Sequence, residues 1–245
     1  REKGHAVAIL ALDPSSPRTG GAVLGDRLRI QHLSGDPDVF VRSMATRGAT
    51  GGLARAAADA LLALDAAGFE RILVETVGAG QDEVDIAQVA HTIVVIEAPG
   101  LGDEIQAIKA GLLEIADILV VNKADREGAQ QTLAALRLAV GGDRDGTPEG
   151  VGETGGDADA QVYGSHIMHH ASSHGSLITD HGTWRRSLLA TVATEKRGVE
   201  ELCAAVEAHR RYLQASPEGM LRAERQAHAR LCQALDEALA RLIRQ

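Results

Sequence analysis

Four residues, Asn122-Lys123-Ala124-Asp125, follow an apolar segment and could read a nucleotide base. A carboxylate at Asp125 can accept two hydrogen bonds from the N1–H and exocyclic amine of guanine, a pair that adenine does not offer. Leaving such buried groups unpaired is costly, so the pairing discriminates strongly. Asn122 can tie neighbouring loops together, and the aliphatic stem of Lys123 can lie over the base. As four letters the motif also arises by chance with a purely structural meaning. Its position at the carboxyl end of a strand favours chemistry, because open α/β sheets bind ligands there.

Three carboxylates suit a second task. Asp13 and Glu75 stand at strand ends and Asp26 in an intervening loop. Mg²⁺ is a hard ion that takes oxygen ligands and keeps waters, so nucleotide sites hold it with only one or two carboxylates. The plainer alternative has Asp13 and Glu75 capping loops and Asp26 in a turn. Around Glu75 the sequence runs Val74-Glu75-Thr76-Val77-Gly78-Ala79-Gly80-Gln81. Gly78 and Gly80 would let backbone N–H groups approach a γ-phosphate, or simply make a tight turn.

Positioning these groups requires alternating strands and helices. Apolar strands are expected at 5–12, 71–77, 92–97, 117–121 and 188–193. Helices are expected at about 37–45, 53–67, 82–90, 103–116, 127–140 and 197–213. Gly68 stands where a helix C-cap belongs, and Pro37 suits a first turn. Strands that alternate with amphipathic helices imply βαβ units. The fold class is therefore α/β, a mostly parallel sheet with helices on both faces. Ser216-Pro217 reads as N-cap and first-turn proline of a terminal helix running nearly to Gln245. Its Leu231, Leu235, Ala238 and Leu242 form one stripe that must be buried against the body or another subunit.

The remaining features bound the function. The 245 residues are 44% hydrophobic and 24% charged, an ordinary globular balance, and aromatics at 2% leave the core to Leu, Val, Ile and Ala. A formal charge of −9 argues against nucleic acid as the main partner. No run approaches the roughly 18 to 20 apolar residues of a membrane span. Cys203 and Cys232 read as reduced, semi-buried thiols, which fits a cytoplasmic protein. From 141 to 185 no period survives, and a long irregular insertion is expected. Its His166, His169 and His170, with His174 and His181 nearby, have spacings open to a metal site or to a solvated polar loop. The first residue is Arg, and a strand begins almost at once, so the native chain is expected to start upstream.

Taken together, Asp13-Pro-Ser-Ser-Pro-Arg-Thr-Gly-Gly, Leu24-Gly25-Asp26, Glu75-Thr-Val-Gly-Ala-Gly-Gln and Asn122-Lys-Ala-Asp resemble the methylmalonyl-CoA mutase-associated GTPases of the MeaB/ArgK type. Thr191-Val-Ala-Thr-Glu-Lys-Arg-Gly198-Val-Glu-Glu-Leu is similar to the family's last base-side loop and its following helix. The resemblance covers residues 5–140 closely and resumes at about 188–214. It implies a P-loop-type GTPase fold over 1–214 and a dimerising helical extension over 215–245. Asp13, Asp26 and Glu75 would organise Mg²⁺ and the attacking water. Asn122, Lys123 and Asp125 would read the guanine of GTP or GDP, with the backbone of Thr191, Val192 and Ala193 nearby. The segment Gly100 to Lys109 resembles a partner-responsive switch, with Lys109 brought to the nucleotide or, alternatively, an exposed helix lysine. The implied role is a homodimeric GTPase chaperone that gates cofactor loading and protection of an adenosylcobalamin-dependent mutase.

One departure is an absence. No Gly-x-x-x-x-Gly-Lys-Ser/Thr sequence occurs anywhere in the 245 residues. That loop supplies most phosphate contacts, the lysine, and a hydroxyl ligand of Mg²⁺. Its strand is expected to be missing as well, so residues 1–245 alone should bind GTP poorly. Two rival readings stand beside the chaperone: a GTP-dependent nickel or zinc metallochaperone using the histidines, and a truncated module that only dimerises.

Overall fold

The computed structural model describes residues 4–13, 35–45, 52–76, 89–100, 110–139 and 183–243. They fall into two compact units, residues 1–90 and 91–245.

In the first unit β1 (Val7–Asp13) lies between β2 (Val39–Ala45) and β3 (Arg71–Thr76), and both pairings are parallel. Helix α1 (Gly52–Ala66) covers one face, where Ala57 packs with Leu10 and Leu12, joined by Met44 and Val74. It ends as expected at Gly68, whose φ of +88° suits a residue without Cβ, and Phe69 N–H bonds back to the Leu64 carbonyl.

The helix expected at 37–45 is instead strand β2. Asp36-Pro37-Asp38-Val39 forms a β-turn: Val39 N–H donates to the Asp36 carbonyl at 3.0 Å and Asp38 N–H to Asp36 Oδ1 at 3.0 Å. Proline second in a turn behind an aspartate is as natural as proline opening a helix. Val39, Phe40 and Val41 then favour extension, and register along the whole of β1, from Val7↔Val39 to Asp13↔Ala45, decides the matter.

In the second unit β5 (Ile118–Asn122) lies between β4 (Val94–Glu97) and β6 (Ser187–Thr191), again all parallel. Helices cover both its faces. Leu119 and Val121 pack with Leu113 of α2 (Ala110–Ile115) and with Leu133 and Leu136 of α3 (Ala129–Ala139). Ile118 and Val120 pack with Leu202, Ala205 and Val206 of α4 (Val199–Ala215) and with Trp184. A strand buried on two sides needs apolar residues at every position, which is why residues 118–121 show no alternation.

The terminal helix α5 (Pro217–Ile243) starts at an extended Ser216, whose carbonyl and hydroxyl oxygens accept from Gly219 N–H at 3.2 and 3.4 Å. Leu231, Leu235, Leu239 and Leu242 are exposed. Cys203 and Cys232 are exposed as well, not semi-buried, because nothing in the described chain covers the faces that carry them. Among the described residues, no helix is long and apolar enough to cross a membrane. Residues 82–88 of the helix expected at 82–90, the first half (103–109) of that at 103–116, and residues 141–182 of the insertion, with all its histidines, lie outside the described residues.

Candidate functional site

Each unit carries its candidate residues at the carboxyl ends of its own strands. In the first, Asp13 closes β1 and Glu75 is the penultimate residue of the adjacent β3, exposed. Parallel register pairs Glu75 with Ala11, so the backbones of Asp13 and Glu75 stand two positions apart at one edge of the sheet. Aspartate and glutamate are hard oxygen donors of the kind that Mg²⁺ takes. Asp26, Gly78, Gly80 and Lys109 lie outside the described residues.

The second unit is built in more detail. Asn122 is the last residue of β5 and is paired in register with Thr191, the last of β6. Its side-chain Oδ1 accepts from Thr191 Oγ1 at 3.1 Å and from Ala193 N–H at 3.2 Å. In return, Ala124 N–H donates to the Thr191 carbonyl at 3.0 Å. Two loops are thereby knotted through one amide. Between the strands Lys123 takes φ +57°, a left-handed conformation that residues with a Cβ seldom adopt and that concentrates at functional sites. The turn closes with Arg126 N–H on the Lys123 carbonyl at 3.0 Å, leaving Lys123 and Asp125 exposed at its rim. Thr191 and Val192 are buried, and a 3₁₀ turn over Ala193–Glu195 follows. Val192 also bridges back to Arg197, its N–H on the Arg197 carbonyl at 3.0 Å.

The loop offers a carboxylate, an aliphatic stem and backbone polar groups on a scaffold fixed by hydrogen bonds. Asn122, Lys123, Asp125, Thr191, Val192 and Ala193 come together at one edge. Sequence reasoning gave Thr191 only a backbone role, whereas its hydroxyl holds Asn122; the strand register that brings them together is invisible in the chain. It named Gly198 within the base-side motif but gave it no role of its own; the residue precedes α4 with φ +73°. A Cβ there would stand 2.2 Å from the Ala190 carbonyl oxygen and 3.1 Å from Thr191 Cα. Gly198 thus lets α4 start hard against the strand end that carries the loop. A glycine directly before an Ala/Leu/Glu helix, a few residues after a strand, was the available signal.

Comparison with known proteins gives three findings. The family model described as "Methylmalonyl Co-A mutase-associated GTPase MeaB" matches residues 1–245. A Pyrococcus abyssi protein with a provisional GTPase name is 46% identical over 88% of this chain and 57% of its own length. The Escherichia coli protein named GTPase ArgK is 33% identical over 83% of this chain and 52% of its own. The chain therefore spans little more than half the length of these relatives. A crystal structure titled as a LAO/AO transport system kinase superposes on 98% of this chain and 60% of its own, with a TM-score of 0.59 at 24% identity, which speaks for the fold alone.

Proposed function

Because the chain belongs to the methylmalonyl-CoA mutase-associated GTPase MeaB family, we propose that the full-length protein is a GTP-hydrolysing chaperone for an adenosylcobalamin-dependent acyl-CoA mutase. It gates cofactor loading and protects the loaded enzyme, works in the cytoplasm, and acts as a homodimer. The observation that carries the reading is the Asn122 amide shared by Thr191 and Ala193, which holds the Asp125 turn beside the end of β6. A preformed loop of that kind favours base recognition, since the carboxylate need not be ordered when guanine arrives.

In this mechanism Asp125 accepts from the guanine N1–H and amine, the stem of Lys123 covers the base, and the backbone from Thr191 to Ala193 borders it. Asp13, Asp26 and Glu75 are the residues that would hold Mg²⁺, which when bound neutralises charge on the phosphates. Glu75 also helps to orient the attacking water, Gly78 and Gly80 present N–H groups to the γ-phosphate, and Lys109 arrives when the partner docks. Water attacks the γ-phosphorus, the bond to the bridging oxygen breaks, and GDP leaves as the oxyanion. Positioning and charge stabilisation supply the acceleration. The exposed leucine face of α5 supports self-association.

The test is GTP turnover by the full-length protein with and without its cognate mutase. A rise in rate on adding mutase is expected. An unchanged rate would contradict the chaperone reading while leaving guanine recognition to be judged on binding.

A further inference from the structure

At the opposite, amino-terminal edge of the second sheet lies a polar cluster that nucleotide chemistry does not use. Asp117, just before β5, is 5% exposed and His209 of α4 is fully buried. Arg222 of α5 grips Asp117 with both ends of its guanidinium, NH1 to Oδ2 and NH2 to Oδ1, each at 2.9 Å. Its NH1 also donates to the His91 carbonyl at 2.6 Å. Ile93 N–H donates to Asp117 Oδ2 at 2.8 Å, and the Trp184 indole N–H to the Asp117 carbonyl at 2.9 Å. The Tyr212 hydroxyl donates to Glu218 Oε2 at 2.6 Å, and Glu218 Oε1 lies 3.5 Å from Arg222.

His209 is the odd member. Its Nδ1 meets the Thr92 hydroxyl at 2.9 Å, but Nε2 makes no hydrogen bond and lies 3.4 Å from Asp117 Oδ1. Asp117, Arg222 and Glu218 are the charged groups that face it, with Tyr212, Trp184 and Thr92 completing its surroundings. Burial holds the imidazole below its ordinary pKa, opposed by Asp117 and reinforced by Arg222.

This corner controls a long lever. Gly219 lies so close to α4 that a Cβ would meet the Leu213 carbonyl oxygen at 1.8 Å. Beyond Arg222 the described side chains of α5 are exposed, apart from half-buried Gln226 and Ala240. A helix of 27 residues is about 40 Å long, so a small change of angle at its root moves its far end a long way.

We propose that Asp117, His209 and Arg222 form a proton-sensitive latch that fixes the root of α5, and that protonating His209 opens it. An imidazolium competes with Arg222 for the buried Asp117 carboxylate, and two cations then share a dry site in which the half-exposed Glu218, 3.5 Å from Arg222, is the second carboxylate. Arg222 is the member nearest water, so it yields and α5 loosens.

The 245-residue chain tests this through Trp184, its single tryptophan, whose ring centroid is 4.6 Å from that of His209. Trp184 emission, hydrogen exchange of residues 217–226 and the His209 imidazole signals are followed together from pH 8 to pH 5. The three should share one midpoint below the ordinary histidine value, with protection of residues 217–226, taken relative to the intrinsic amide rate at each pH, at least tenfold lower on the acid side while residues 118–122 stay protected. His209→Gln should abolish the transition. If that variant does not fold, Arg222→Gln should show protection at 217–226 at pH 8, relative to the intrinsic amide rate, as low as that of the unaltered chain at pH 5. The latch is overturned if His209 takes up its proton with no change in protection, if it does not titrate in this range, or if Arg222→Gln stays as protected as the unaltered chain.

Discussion

Asn122 and Gly198 do complementary work at the candidate base loop. Asn122 supplies the hydrogen-bond acceptor that joins two loops; Gly198 supplies the space that lets α4 begin against the same strand. Substituting Gly198 by alanine adds a Cβ at a left-handed backbone and drives it into the Ala190 carbonyl. Backbone cannot swing aside as a side-chain tip does, so the cost should be about 2 to 4 kcal/mol. Chemical denaturation should report that loss, and the Ala193 amide should lose exchange protection while the first unit is unchanged. Most candidate residues here were legible because their chemistry is local: four consecutive letters specify the Asn122–Asp125 turn. The hydroxyl role of Thr191 was hidden because it depends on strands paired across 69 residues, a contact that no local pattern encodes; that of Gly198 rests on the close approach of α4 to Ala190, which the letters hint at but do not measure.

At the scale of elements, β5 and β2 mark the two limits of sequence reading. β5 was readable because burial on both faces leaves an unbroken apolar run. β2 was misread because Asp36-Pro37-Asp38 serves a turn as well as it opens a helix, and only pairing with β1 chooses between them. The α4–α5 corner belongs to neither case. Its proline and serine announced a helix start, yet Asp117, His209 and Arg222 sit in three separate segments, and nothing local connects them. Because the folded chain holds His209 below its ordinary pKa of 6.5, the unfolded chain takes the proton first. The stability this group supports is therefore complete above about pH 6.5 and declines as pH falls through the lower folded value. Urea midpoints measured from pH 7.5 to pH 5 should fall, and His209→Gln should flatten that part of the profile.

For the whole molecule, two features bear on behaviour in solution. Among the described residues, Leu231, Leu235, Leu239 and Leu242 form an exposed apolar strip on α5. If two copies cover this strip, Leu235→Lys should lower the mass found by light scattering from dimer to monomer without lowering the thermal midpoint of the second unit; an unchanged dimer would move the interface elsewhere. The second feature is the lack of a Gly-x-x-x-x-Gly-Lys-Ser/Thr sequence in these residues. A base loop without its phosphate cradle loses most of the charge-assisted contacts to a nucleotide. A fluorescent GTP analogue titrated into residues 1–245 should therefore bind more weakly than micromolar.

The claim on which the rest depends is that the Asp125 turn reads guanine. It is tested most directly by base selectivity in the full-length protein, comparing GDP, ADP and xanthosine diphosphate before and after Asp125→Asn. The unaltered protein should prefer GDP. The variant should lose at least tenfold in GDP affinity, as expected for losing hydrogen bonds to a charged acceptor. It should gain affinity for xanthosine diphosphate, whose 2-keto group can accept from the new amide. Equal binding of ADP and GDP by the unaltered protein, or GDP affinity unmoved by Asp125→Asn, would contradict the assignment.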